Sequence, residues 1–217
     1  MLKIFIGVSR ACCNWLKHYK INAKGVLSNA IEVSEYDFYK DISKTNQKNI
    51  RILYAGRLIK DKGIILLVEA FKRILNNFTN VELFIAGDGP LEEILKKEKN
   101  MQLLGKLNHE ELMKEYAKAD IFINPSYSEG LPTTVLEAGL MKCAVVATDV
   151  GGTSEIIEDR KEGLLCKPEV LDITEKLEVL IKDEILRETL GEKLHEKVVK
   201  QFSWDNTANK ILELLQK

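Results

Sequence analysis

The chain has 217 residues, 45% of them apolar, enough for one large domain, or one domain plus a fragment, around a real core. Its 32 Lys and Arg nearly cancel its 33 Asp and Glu, leaving a net charge of −1. That balance argues against a dedicated nucleic-acid binder, which usually carries a basic excess.

In chain order, the apolar opening over residues 2–8 reads as a strand. It is too short for a signal-peptide core, and no later apolar run is long enough to span a bilayer. A helix over residues 10–19 and a short strand over residues 25–28 follow, then a polar stretch over residues 41–49 that reads as a linker or exposed loop. From residue 50 the pattern alternates between two periods. RILYAG is a buried strand, and after Gly63 a helical stripe carries Leu66, Leu67, Ala70, Phe71 and Ile74. VELFIAG is the next strand, and GDGP leads to a short helix with Leu91, Ile94 and Leu95. MQLLGKL is a strand, residues 110–118 a helix with Leu112, Tyr116 and Ala119 on one face, and DIFINPS a strand ending at Pro125. Residues 133–141 form a helix, CAVVATD a strand, residues 153–157 a single helical turn and GLLCK the last strand. The tail from Pro168 is helical, with interruptions expected near Gly191 and Phe202.

Continuous apolar strands alternating with helices imply a parallel sheet covered on both faces. The expected fold class is α/β, a Rossmann-like doubly wound parallel sheet, with a short N-terminal β-α-β piece and a C-terminal helical tail. Such sheets bind ligands beyond the carboxyl ends of their strands. GRLIKDKG, GDGP, GKL, NPSYSEGLP and VGG all fall there. The cysteines Cys12, Cys13, Cys143 and Cys166 form no CxxC pair, and the histidines His18, His109 and His195 show no metal spacing. Cys143 and Cys166 read as buried thiols, and the chain as cytoplasmic, with peripheral contact at the inner membrane face left open.

Two segments carry chemistry. In GRLIKDKG, Gly56 permits a close turn after the strand, and Arg57 and Lys62 stand at the mouth of the crevice. Two cations there suit a diphosphate; taken alone, they would be ordinary solvated charges. In EGLPTTVLEAG, Pro132, Thr133 and Thr134 mark a helix start whose free amides and dipole attract phosphate. Glu137 falls one turn inside, where a carboxylate can accept both hydroxyls of a ribose diol or merely compensate the dipole. Glu129 lies in the loop before the helix, either on the approach to the phosphates or as an ordinary loop carboxylate.

From about residue 50 onward the chain resembles the C-terminal, donor-binding domain of the GT-B retaining glycosyltransferases of family 4. The resemblance rests on ILYAGRLIKDKG, LFIAGDGP, LLGKL, ADIFINPSYSEGLPTTVLEAGLMKCAVVATDVGGTSEII and EGLLCKP, in that order. It implies that Arg57 and Lys62 bind the donor diphosphate, that Glu129 sits against the transferred sugar, and that Glu137 holds the ribose. It implies that the backbone near Gly130, Leu131, Thr133 and Thr134 meets the phosphates and sugar, and that Gly105, Lys106 and Leu107 flank the base. Gly151 and Gly152 fit the family's loop after the fifth strand, or are turn glycines only. The donor would be a UDP- or GDP-sugar, the acceptor a glycan or lipid-linked sugar, and no cofactor or metal is expected. Family chemistry retains the anomeric configuration through an oxocarbenium-like state, with catalysis mainly by leaving-group stabilisation and positioning.

The resemblance also divides the chain. Residues 1–29 look like the last part of an acceptor domain, and residues 30–49 like an interdomain segment in which Ala30 replaces a glycine. Residues 50–201 would be the donor domain, and residues 202–217 a helix packing back toward the acceptor domain, with Trp204 as its anchor. The opening strand then lacks its home sheet, and an unpaired edge invites a second chain or self-association. The leading expectation is a glycosyltransferase or its donor half. The alternatives are a nucleotide-sugar-binding subunit without activity of its own and a sugar-nucleotide epimerase, the last disfavoured by the Arg57, Lys62, Glu129 and Glu137 set.

Overall fold

The computed structural model describes residues 5–42, 49–96, 98 and 101–215 and holds two parallel sheets of unequal size. β1 (Ile6–Gly7), α1 (Arg10–His18) and β2 (Gly25–Val26) form a small β-α-β unit whose strands pair in parallel. A 3-10 turn at Val33–Glu35 and α2 (Tyr36–Tyr39) lead toward the larger sheet. There follow β3 (Ile50–Ala55), α3 (Ile64–Ile74), β4 (Val81–Ala86), α4 (Glu92–Leu95) and β5 (Met101–Gly105). The chain continues through α5 (His109–Lys118), β6 (Ile121–Asn124), α6 (Thr133–Leu140), β7 (Ala144–Thr148), α7 (Thr153–Ile156) and β8 (Leu164–Cys166). It closes with α8 (Val170–Lys182), α9 (Glu184–Gln201) and α10 (Trp204–Leu215).

The six large-sheet strands lie in the order β5-β4-β3-β6-β7-β8, all parallel. Successive side chains point to opposite faces, so each strand feeds two cores. Ile52 and Tyr54 join Leu67 and Phe71 of α3 and Leu177 of α8, while Leu53 and Ala55 join Tyr116 of α5 and Leu136 of α6. Burial on both sides is why these strands are apolar without alternation. The chain steps outward from β3 to β5, returns to β6 beside β3, then steps outward again to β8. The crevice where strand order reverses, above β3 and β6, is the ligand position such sheets favour.

Several expectations change. α9 runs unbroken through Gly191, and the break falls at Asp183, which caps α9 by accepting from the Leu186 amide. Gly191 is there for closeness, since a Cβ on it would lie 2.4 Å from the Lys142 carbonyl oxygen. Trp204 is 57% exposed, while Phe202, 5% exposed, closes the core at that corner. Ile94 points outward while Leu95 is buried, because α4 is a single turn. The opening strand is paired at Ile6 and Gly7; residues 2–4 of the expected strand, and residues 43–48 of the expected linker, lie outside the described residues. Ala30 is not left-handed, so that turn does not need the glycine. Cys143 and Cys166 are buried, and burial pushes the Cys166 thiol up to about 12.

Candidate functional site

Close backbone packing sets the crevice floor. Gly63, left-handed at φ 67°, has its Cβ position 1.9 Å from the Pro125 carbonyl oxygen, so the loops after β3 and β6 meet there without room for a methyl group. The GDG turn after β4 supports the same loop, since a Cβ on Gly87 would lie 1.9 Å from the Gly56 oxygen. Tyr54 Oη donates to the Arg57 carbonyl at 2.9 Å, and the Arg57 side chain is exposed with no ion pair among the described residues. Burial, then the nearby Glu129 charge, raise the Tyr54 phenol, which therefore stays a donor.

Glu129 is the centre of a polar cluster. Its Oε1 accepts from Lys62 Nζ at 2.7 Å and from Ser126 Oγ at 2.7 Å, with Asn124 Nδ2 at 3.5 Å. Ser126 is also held by Thr148, whose hydroxyl donates to the Ser126 carbonyl at 2.5 Å. Its loop rests on the turn after β7: a Cβ on Gly151 would be 1.8 Å from the Glu129 oxygen, and the Gly152 amide donates to the Gly130 oxygen at 2.9 Å. Gly151 and Gly152 are thus a shelf beneath Glu129 and Gly130.

Beside Glu129, α6 starts at Pro132 with no side-chain cap, leaving the Thr133 and Thr134 amides at the edge of a cavity of about 160 Å³. Gly56, Lys62, Glu129, Leu131, Thr133 and Thr134 all line it. Tyr54, Asn124 and Ser126 line it too and were not singled out in the sequence, although polar side chains at the end of an apolar strand were the available signal. A lysine and uncapped amides around one cavity can receive a phosphorylated group, and the Glu129 carboxylate beside them can accept from hydroxyls.

Arg57, Gly105, Lys106, Leu107, Gly130 and Glu137 lie outside that cavity. Gly130 faces the β-α-β unit instead, its Cβ position 3.3 Å from Val8 and 3.7 Å from Cys12 Sγ. Glu137 projects toward α5, where Tyr116 Oη donates to its Oε2 at 3.1 Å. Burial raises the Glu137 carboxyl; the Tyr116 bond and His109 pull it back, and Glu35 pushes it up further. His109 in turn sits 3.0 Å from Glu35. Gly105, left-handed at φ 70°, ends β5 with its oxygen accepting from the Gly87 amide, and Lys106 is exposed 4.0 Å from Asp88. Among the described residues no group of His, Cys, Asp and Glu could hold a metal ion.

A family profile described as "Glycosyl transferases group 1" matches residues 35–197. The chain is 30% identical over 215 residues to the phosphatidylinositol N-acetylglucosaminyltransferase gpi3 subunit of Schizosaccharomyces pombe, covering 94% of this chain and 46% of that protein. It is 30% identical over 207 residues to the capsular polysaccharide biosynthesis glycosyltransferase CapM of Staphylococcus aureus, covering 88% of this chain and 53% of that one. The chain therefore spans about half the length of the curated relatives it matches. Among solved structures it superposes on Anabaena HepE in complex with UDP and glucose with a TM-score of 0.85 at 21% identity, over 98% of this chain and 63% of that one. It superposes on the C-terminal domain of the Francisella tularensis group 1 protein LpcC with a TM-score of 0.70 at 25% identity, over 80% of this chain and 99% of that one.

Proposed function

The chain belongs to the glycosyl transferases of group 1, and from that premise we propose that it binds a UDP- or GDP-sugar at the β3–β6 crevice and supplies the donor half of a sugar transfer. The observation that carries this is the meeting of Lys62, Glu129 and the uncapped start of α6 around one cavity. On this reading the diphosphate takes the Thr133 and Thr134 amides, and Lys62 leaves Glu129 for a phosphate oxygen. Arg57, free at the mouth, closes on the leaving group as charge develops. Glu129 then faces the transferred sugar, held by Ser126, and Glu137 holds the ribose through the carboxylate edge that Tyr116 leaves open. Lys62, Arg57 and the amides neutralise the phosphates, so the reading needs no metal. Transfer would go to a glycan or lipid-linked acceptor with retained configuration, on the cytoplasmic side or at the inner membrane face.

Calorimetric titration with UDP and with GDP at low salt tests the donor site. One of the two is expected to bind, with the heat lost in Arg57→Ala and in Glu137→Ala. If neither binds, the donor reading is wrong.

A second reading is a nucleotide-sugar-binding subunit whose activity needs an acceptor domain from another chain or another copy. The observation favouring it is the β-α-β unit, which exposes Phe5, Ile6, Val8, Trp15 and Tyr19. Some relatives are named as subunits. Transfer or donor hydrolysis by the chain alone would remove this reading.

A further inference from the structure

A second cavity lies away from the donor crevice, at the place where the chain passes twice between its two parts. Residues 28–31 leave the β-α-β unit there, and residues 202–204 return between α9 and α10. The two passes pair, the Ile31 amide donating to the Phe202 oxygen at 2.9 Å. Between them opens a crevice of about 540 Å³, within the range of small-molecule sites.

The crevice is cationic in a chain whose net charge is −1. Arg10 from α1, Lys200 from α9 and Lys210 from α10 line it, and none has an ion-pair partner among the described residues. Elsewhere in the molecule lysines are paired at short range, as Lys142 is with Glu192, Lys182 with Glu178 and Lys197 with Glu162. Three like charges brought together from three elements repel one another and concentrate the field between them.

Glu155 is the one carboxylate in the lining, and it is already engaged. Its Oε1 accepts from the Arg10 amide at 2.7 Å and the Ala11 amide at 3.4 Å, at the start of α1. It therefore satisfies the helix end, and its single charge offsets only one of the three side-chain cations, leaving the lining net positive. The walls are tied in place. Asn206 Nδ2 donates to the Lys200 oxygen at 2.6 Å, and Thr207 Oγ1 reaches the Ser28 oxygen at 3.5 Å. The Ser28, Ser154 and Asn206 side chains add polar surface.

We propose that this crevice is a binding site for a small phosphorylated anion, gripped by Arg10, Lys200 and Lys210 and distinct from the donor crevice. Arg10 offers a planar fork to two phosphate oxygens, and the two lysines add point charges from α9 and α10. A ligand there touches both parts of the chain at once, so it fixes the β-α-β unit against the large sheet.

Inorganic pyrophosphate is the probe, titrated calorimetrically into the full chain carrying Arg57→Ala and Lys62→Ala, which disable the donor crevice. Pyrophosphate is expected to bind in that background. Lys200→Glu and Lys210→Glu are each expected to weaken it by at least about tenfold, a change of about 1.4 kcal/mol per decade. Lys193→Glu, seven residues up α9 and outside the lining, is expected to leave affinity unchanged. All three side chains are exposed, so the fold tolerates the changes, and circular dichroism checks it. No binding in the background chain overturns the proposal. So does binding that survives both reversals, and so does an equal loss with Lys193→Glu, which would mark a diffuse charge effect. Because the donor cations are absent throughout, failure of the donor reading leaves this result intact, and failure here leaves that reading intact.

Discussion

On the proposed donor reading, Glu137 is a side chain whose burial serves binding at a cost in stability. Its carboxyl is raised above the ordinary 4.5, chiefly by burial. A raised carboxyl binds more protons folded than unfolded between the two values, so stability falls as pH rises through that window. Its contribution is greatest below 4.5 and is lost above the folded value. A diol, in contrast, needs the ionised form. Nucleotide affinity is therefore expected to fall as pH drops through the folded value, and Glu137→Gln should bind about tenfold weaker with that pH dependence removed. The same variant should melt no lower than wild type at neutral pH; titration calorimetry and thermal melts across pH 4–8 read both effects. Gly151 is the other informative residue. Alanine there meets the Glu129 carbonyl at 1.8 Å with φ at 59°, so strain and clash act together. Gly151→Ala is expected to cost more than about 2 kcal/mol in urea unfolding and to weaken nucleotide binding, because the Glu129 loop must lift. That Glu129, Lys62 and the two threonines share one crevice was legible from sequence, because they follow strand ends or open a helix, and one cavity brings them together; their roles came from the resemblance alone. The carboxylates' partners were not: Ser126 on Glu129 and Tyr116 on Glu137 act through contacts made only by folding, and nothing in their local sequence says which oxygen they face.

Elements follow the same division. Strands β3, β4, β6 and β7 were legible because burial on both faces demands continuous apolar runs, and the crevice followed from the Gly and Pro turns at their ends. Helix ends were less so. Gly191 reads as a breaker, but its neighbours in α9 carry the helix through it, and the glycine instead lets α9 lie on the turn after α6. Two effects compete at this position. Alanine gains about 1 kcal/mol of helix propensity over glycine. Its Cβ would lie 2.4 Å from the Lys142 oxygen and 3.4 Å from the Cys143 carbonyl carbon, both backbone atoms that cannot rotate away. Overpacking of that kind costs about 1–3 kcal/mol, so the clash is expected to win. Gly191→Ala should lower the urea midpoint without changing the slope; a rise in midpoint would mean that α9 shifts freely on the sheet.

At the scale of the whole molecule, the two sheets differ in what holds them. Every residue of the two large cores among the described residues lies at or after Ile31, and α1 buries none of its side chains. A two-stranded sheet is marginal by itself. The β-α-β unit is held by light packing, as of Val8 on Gly130 and Leu214 on Gly25, and by a few polar ties, among them the Glu155 carboxylate on the Arg10 and Ala11 amides, Asn29 Nδ2 on the Leu131 oxygen at 2.7 Å, and the Ile31–Phe202 pair. Such bonds are worth about 1 kcal/mol each, against a global stability of about 5–15 kcal/mol. The unit should therefore open on its own, well below global unfolding. Native-state hydrogen exchange reads this at two amides: Leu27, which bonds to the Gly7 oxygen at 2.9 Å, and Val146, fully buried in β7. Leu27 is expected to exchange by a local opening insensitive to low denaturant, and Val146 only by global unfolding. Asn29→Ala should speed exchange at Leu27 while leaving Val146 nearly unchanged, because it cuts a tie at the Leu131 loop without touching either core. Equal protection at the two amides would mean that the small unit and the large sheet unfold as one body.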